Sequence, residues 1–359
     1  MENHILNNYH SHYTGGVIKL LEAEIQRPVH WFVCMLHGNE LPLRHILATI
    51  DGKTSGPKCF NGPIGKQLQD CEKLSVVNFL PVPLDLGHEV NLHDLSTDQK
   101  YLLEICRAVA VGEVPESLSI KFPGNLNHSR WVTTANRILR LYVATEDPTK
   151  NLRDLVSFIM TVYVPMWFNI KCYPSVCDGA RHVFNTLKRV NQLDQGLQQI
   201  ALPVIQRNAY FAHPENILLS MVTDERPPVR ELGWRKILKA RNENKSAESV
   251  RDFSLPALND NVDDYYQMID WMSTRITEPP ATRDLTDNEI NLRIQEKQAF
   301  SCEDFPCHTQ AVERTVKLVT ESSSRACSQF AREGIIVSTL ASRKRIPAFE
   351  SKKDFIPIK

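Results

Sequence analysis

Apolar and polar positions along this chain recur mostly with the period of an amphipathic helix. Intervals of three and four residues bring the apolar side chains to one face. Ser96 precedes one such stretch, which continues to Val111, and serine is a favoured helix N-cap. The same periodicity predicts helices around 17–25 and over 41–50, 131–145, 151–170, 180–206, 208–222, 229–241, 286–298, 307–321 and 323–342.

One segment has a different pattern. Residues 29–36, VHWFVCML, are a nearly continuous apolar and aromatic run. Such a run is typical of a strand that is buried on both faces. We therefore predict a strand here, followed by the helix over 41–50.

The segment 51–65 is rich in turn-forming residues and predicts a loop. Its end imitates a phosphate-binding loop, because Gly65 is followed by a lysine. The glycine required five positions earlier is replaced by Phe60, and the Ser or Thr required after the lysine is replaced by Gln67. These replacements exclude a Walker A loop.

Composition narrows the possible functions. Lys plus Arg and Asp plus Glu number 42 each, so any contact with nucleic acid must be local. No stretch approaches the roughly 20 apolar residues of a membrane-spanning helix. The N-terminal residues lack the features of a signal peptide, and nine scattered cysteines suit reduced thiols. We expect an intracellular protein, nuclear or cytoplasmic, without membrane contact.

Cysteine and histidine lie close in sequence at three places, which raises the question of a zinc site. Cys34 and His37 have the spacing of half a site; alternatively, Cys34 packs in the core and His37 bonds locally. Candidate partners fall into two groups: Cys172, Cys177 and His182, and Cys302, Cys307 and His308. None has the CxxC spacing of a zinc knuckle, so we predict no bound metal.

Three further segments carry candidate chemistry. Arg130 and Trp131 open a predicted helix, where they suit a phosphate and a stacked base, unless the tryptophan is a core anchor. His213 and Glu215 suit acid–base chemistry, although the sequence around them also suits a helix start. Glu313 suits either a metal-binding carboxylate or a surface ion pair along its helix.

Three segments occur in an informative order: CMLHGNELPL at 34–43, SRWVTTANRILRL at 129–141 and TQAVERTVKLV at 309–319. They resemble the Cys-x-x-His segment, the Arg-Trp-x-Ser/Thr helix and the C-terminal Glu-Arg segment of hAT-superfamily transposases. Most of the chain also resembles a group of uncharacterised, transposon-related invertebrate proteins. The resemblance implies a mostly α fold with a small α/β part, namely a partial ribonuclease H-like core interrupted by a long helical insertion.

Periodicity and resemblance together divide the chain into six regions. In order, they are a disordered N-terminus (1–13), a partial ribonuclease H-like α/β region (14–130), a helical insertion (131–242), a linker-rich segment (243–285), C-terminal helices that complete the core (286–342) and an extended basic tail (343–359).

The resemblance also implies a site in which three carboxylates hold two divalent metal ions such as Mg²⁺. Glu313 matches the third carboxylate. The other two would be aspartates on strands before Cys34, but the acids there are Glu2, Glu22 and Glu24. We therefore expect no transposition or strand cleavage and no cofactor, with Mg²⁺ relevant only to a complete core. Two explanations stay open: a piece of a longer gene product, or a degraded or repurposed relative.

Three functions follow as hypotheses. The first is a transposase-derived protein without catalysis, which binds DNA through Arg130, Trp131 and Arg314 or binds a protein or itself. The second is a helical interaction scaffold without transposase ancestry. The third is a metal-dependent enzyme that uses His213 and Glu215.

Overall fold

The computed structural model describes residues 17–30, 34–56, 59–92, 95–126, 131–243 and 254–301, together with Cys307. This part of the chain is mostly helical, as the periodicity predicts. Its α-helices are α1 (Val17–Ile25), α2 (Met35–Ile50), α3 (Pro63–Gln67), α4 (Thr97–Val111), α5 (Glu116–Ser119), α6 (Trp131–Tyr142), α7 (Lys150–Phe158), α8 (Val164–Cys172), α9 (Gly179–Val190), α10 (Gln195–Asn208), α11 (Pro214–Val222), α12 (Pro227–Glu243) and α13 (Asp287–Glu296).

Short turns of tighter helix join several of these elements. They are the 3₁₀ turns Leu68–Lys73, Val176–Asp178, Tyr210–Ala212, Tyr265–Gln267 and Pro280–Thr282. The regions predicted at 1–13, 307–321, 323–342 and 343–359 lie outside the described residues, apart from Cys307.

Strands are few in the described part of the chain. One two-stranded antiparallel sheet pairs β1 (Thr54–Gly56) with β2 (Cys59–Phe60). The strand predicted for 29–36 is wrong wherever it can be compared: its last two residues begin α2, and 29–30 are irregular, while 31–33 lie outside the described residues. The reason is that a continuous apolar run does not by itself distinguish a buried strand from a buried helix end.

Helix α4 begins and ends where its sequence predicts. The Ser96 backbone N–H donates to Gln99 Oε1 at 3.1 Å, and the Ser96 side chain accepts from the backbone of Gln99 in return. This capping box satisfies donors that the first turn of a helix leaves open. Gly112, with φ +86°, ends the helix in the left-handed conformation.

The predicted helix over 151–170 is interrupted by one wider turn. A π-helical turn, Ile159–Tyr163, joins α7 to α8 and precedes Pro165. Proline cannot donate to the carbonyl group four residues earlier. That group belongs to Thr161 and accepts instead from Arg189 Nη1 at 3.3 Å. By length and composition, Lys150–Cys172 is the one described helix that is apolar enough to cross a membrane, and most of it is buried within the protein.

The helix predicted over 180–206 is two helices, α9 and α10. Asp194 begins the second, because its carboxylate accepts the Leu197 backbone N–H at 3.0 Å. Helix α10 packs against α2, which also contacts α7 and α8. Helix α2 therefore lies within the apolar core, where Leu43 and Ile46 are fully buried.

The last described elements pack in sequence order, α11 against α12 and α12 against α13. Residues 254–285, which connect α12 to α13, contain little regular structure. Tyr265, Met268 and Ile269 of this segment are nevertheless at most 3% exposed. The segment is thus part of the core and not only a connection.

Candidate functional site

The Cys-x-x-His segment lies at the start of α2, with Cys34 as the N-cap residue. The next backbone N–H, of Met35, donates to the Cys307 carbonyl oxygen at 2.9 Å. The Cys307 N–H donates in turn to the Pro174 carbonyl oxygen at 2.5 Å. A residue near the C-terminal family-like segment therefore lies between the start of α2 and the end of α8.

At this junction the Cys307 thiol is buried, whereas the His37 imidazole is exposed. Cys307 is 1% exposed, and burial, with smaller contributions from Asp178 and Cys34, raises the pKa of its thiol to about 12. His37 is 57% exposed at its side chain and lies near Glu40, on the solvent side of α2.

In the second predicted cysteine and histidine group, the histidine is held by structural contacts. His182 is 2% exposed and lies 2.8 Å from the Tyr173 carbonyl oxygen and 3.3 Å from Asn169 Nδ2. Cys302 and His308 lie outside the described residues. No group of three His, Cys, Asp or Glu side chains that would suit a metal ion occurs in the part of the chain that is described.

Within 51–65, the segment whose end resembles a phosphate-binding loop, a side chain of the protein caps helix α3. The Asp51 carboxylate accepts the backbone N–H groups of Ile64 and Gly65 at 2.8 and 2.7 Å. The first turn of α3 thus binds a carboxylate of the protein itself. A Cβ on Gly65 would lie 2.4 Å from Phe60 Cβ, so this close approach requires glycine.

Helix α6 carries the Arg-Trp-x-Thr motif. Trp131 is 4% exposed, which favours the core-anchor alternative for this side chain. Asn136 Nδ2 donates to the carbonyl oxygens of Asp98 and Pro123 at 3.0 and 3.1 Å. The motif's Arg130 lies outside the described residues.

Arg137 of the same helix is 3% exposed and joins several loop segments. Its guanidinium donates to the Leu68 carbonyl oxygen at 2.6 Å and the Gly124 carbonyl oxygen at 2.7 Å, and it pairs with the Glu72 carboxylate at 2.9 Å. Arg140 donates to the Leu74 carbonyl oxygen at 2.6 Å. The described polar residues of this helix therefore hold the irregular segments on either side of α4.

His213 and Glu215 lie together at the start of α11. The His213 Nδ1 atom accepts the Glu215 backbone N–H at 3.3 Å, so His213 is the N-cap. Glu215 Oε1 accepts from Thr277 Oγ1 at 2.7 Å. Both side chains are buried, and His213 also lines a cavity of about 270 Å³ with Asp270 and Arg275.

An ion-pair network beyond α11 has no sequence signal that identifies it. Asp224 is 3% exposed and accepts from Tyr265 Oη at 2.8 Å, Arg226 Nε at 2.9 Å and Arg181 Nη2 at 3.2 Å. Burial by itself raises the pKa of the Asp224 carboxyl. The hydrogen bonds from Arg226 and Tyr265, with the charge of Arg181, outweigh burial and hold this pKa well below its usual range.

Two predicted site residues, Glu313 and Arg314, lie outside the described residues, so their predicted roles are unchanged. No family model, no curated protein and no solved structure matches this chain. Its function is therefore inferred from its own sequence and contacts.

Proposed function

We propose that this protein derives from an hAT-like transposase and binds nucleic acid without cutting or joining strands. The order of the three family-like segments supports this ancestry, as does the helical region between the second and the third. On this proposal, the described helices belong to the insertion and flanks of an incomplete ribonuclease H-like core. Nucleic acid would be contacted locally, since the net charge is zero.

One backbone hydrogen bond carries the structural part of the proposal. The Met35 N–H donates to the Cys307 carbonyl oxygen, so the chain returns to the Cys-x-x-His segment just before its Glu-Arg segment begins.

The acidic residues that the structure describes before Cys34 do not fit a pair of divalent metal ions. Among the acids before Cys34, Glu22 accepts the Val29 backbone N–H at 3.1 Å, and Glu24 lies two residues further along the exposed helix α1. A two-metal site needs several converging carboxylates. We therefore assign no hydrolytic or strand-transfer step to this chain.

Binding of a fluorescent generic DNA duplex, measured by anisotropy across a salt series, tests the proposal. We expect the logarithm of the association constant to fall linearly with the logarithm of salt concentration, and the DNA to stay uncut with Mg²⁺. Arg130→Gln and Arg314→Gln should each lower the slope by about one. Glu313→Gln is the control and should not weaken binding. Absence of binding at low salt would overturn the proposal.

One observation favours a second candidate, a helical interaction scaffold. The described residues within 29–36 pair with no sheet, which is the arrangement that a purely helical array requires. Large apolar side chains such as Ile120 and Val111 are also more than 70% exposed. Self-association by light scattering, together with absence of DNA binding, would favour the scaffold.

The metal-dependent enzyme has no comparable support. His213 caps α11, and Glu215 accepts a hydrogen bond from Thr277, so both side chains form contacts that stabilise the fold.

A further inference from the structure

One face of α12 carries three basic side chains, one of which lies over a tryptophan ring. Arg235, Lys236 and Lys239 are neighbours on this helix. The Lys236 ammonium lies 4.3 Å from the centroid of the Trp271 ring. The ring is itself held in place, because Trp271 Nε1 donates to the Tyr266 carbonyl oxygen at 2.6 Å. An ammonium over a fixed aromatic face is attracted by the ring quadrupole and held in one position.

The three cations differ in their counter-charges. Arg235 pairs with Glu231 at 2.8 Å, and Lys239 lies 3.7 Å from Glu243 Oε1. Lys236 forms no ion pair within the described part of the chain. Its half-buried ammonium is therefore the least compensated charge on this face.

The local electrostatics agree with that difference. Burial, and then the positive charge of Lys239, lower the pKa of Lys236. Both causes oppose the charged form, and an anion beside the ammonium would favour it. The site therefore favours an anionic partner over a neutral one.

The surroundings of Lys236 indicate which anion fits. Lys239 follows one turn later, so two ammonium groups lie on the same helix face. Met272, the residue after Trp271, is 87% exposed. Cations beside an aromatic side chain suit a phosphodiester chain, whose phosphates bind lysine while its bases stack on aromatic rings.

We propose that this face of α12, centred on Lys236, is a contact surface for the phosphate backbone of a nucleic acid. The proposal rests on the nucleic-acid binding proposed above and assigns part of that binding to residues outside the family-like segments. The uncompensated ammonium supplies a phosphate contact, and the Trp271 ring fixes its position.

The test compares two adjacent positions in the full chain, with a fluorescent DNA duplex as the probe. Lys236→Gln should weaken binding about eightfold at 0.1 M salt and lower the salt slope by about 0.9, which is one phosphate contact. Arg235→Gln removes the same charge from the next residue, where Glu231 already compensates it. It should change binding less than twofold. Lys236→Arg should restore the slope.

The outcomes separate this inference from the proposed function. If the unmodified protein binds DNA and both glutamine variants bind equally well, the contact surface is refuted and the general function stands. If the unmodified protein does not bind DNA, both are refuted. If Lys236→Gln weakens binding of an acidic peptide but not of DNA, the inference is also overturned and a protein partner is indicated. Unchanged far-UV circular dichroism of each variant shows that folding is intact.

Discussion

At the scale of single residues, buried arginines in this protein are stabilised by backbone carbonyl groups as well as by carboxylates. Arg140 is 2% exposed and donates to the carbonyl oxygens of Leu74 and Ser119, where a 3₁₀ turn and α5 end. Arg230 donates to the carbonyl oxygen of Lys297, just after α13. Carbonyl groups at helix ends carry partial negative charge, so a guanidinium there needs no carboxylate.

Asp224 is the residue for which pH dependence is clearest. Its depressed pKa means that its contribution to stability is complete above the unfolded-state value, about 4, and is lost as pH falls below it. We expect Asp224→Asn to lower the free energy of unfolding by roughly 3 kcal/mol at pH 7. The difference between the two proteins should shrink as pH falls from 5 to 3, which urea unfolding at each pH would measure.

Asp70→Asn is the matched control for that experiment. Asp70 pairs with Lys73 on the surface, and its side chain is 64% exposed. The change should cost less than about 1 kcal/mol at every pH. A gap between Asp224→Asn and the unmodified protein that stays constant down to pH 3 would contradict the role assigned to Asp224.

At the scale of elements, α6 connects segments that have little regular structure of their own. Arg137 reaches the 3₁₀ turn Leu68–Lys73 and the loop at Gly124, and Asn136 reaches the start of α4. Gly124 has φ +96°, and a Cβ there would lie 2.7 Å from Thr133 Cγ2. The irregular segments therefore depend on α6 for their positions.

Arg137→Met should accordingly destabilise the fold. The change leaves the Leu68 and Gly124 carbonyl groups and the Glu72 carboxylate without their partner. This should lower the free energy of unfolding by about 2–4 kcal/mol. Arg137→Lys should recover little, because one ammonium cannot reproduce the forked geometry of guanidinium. Arg153→Met, at an exposed position, is the control and should cost less than about 1 kcal/mol. Equal urea midpoints for Arg137→Met and Arg153→Met would refute this role.

At the scale of the whole molecule, the chain separates into two units, 1–308 and 309–359. All described residues belong to the first unit. Within that unit, Cys307 joins the start of α2 to Pro174 through two backbone hydrogen bonds. Cys307, the last described residue, thus contributes to the core of this unit.

Truncation tests this arrangement. A chain that ends at His308 keeps the whole first unit and is the reference. A chain that ends at Ser301 loses both hydrogen bonds of Cys307 and should be less stable than this reference by about 1–3 kcal/mol. Calorimetric melting of the two truncated chains would measure the difference. Equal melting temperatures for the two truncated chains would show that Cys307 does not hold the core together.

The positions of most helices could be predicted from the sequence, because periodicity and caps are local properties. Ser96 marks the start of α4 and the Pro-Glu-Asn sequence after His213 marks α11, as predicted. Asp194 is the same kind of N-cap signal for α10, although the periodicity over 180–206 continues across it. The strand predicted at 29–36 failed because its pattern is common to two kinds of structure.

The sequence by itself therefore determined the mostly helical class, several helix ends and the absence of a Walker A loop. Only the tertiary structure decided which charges are paired. Asp224 accepts a hydrogen bond from Tyr265, and Arg137 donates one to the Gly124 carbonyl oxygen. Lys236 lies over the Trp271 ring and pairs with no carboxylate among the described residues. The physical reason is that these partners are far apart in the chain, and the packing of the helices, not sequence spacing, brings them together.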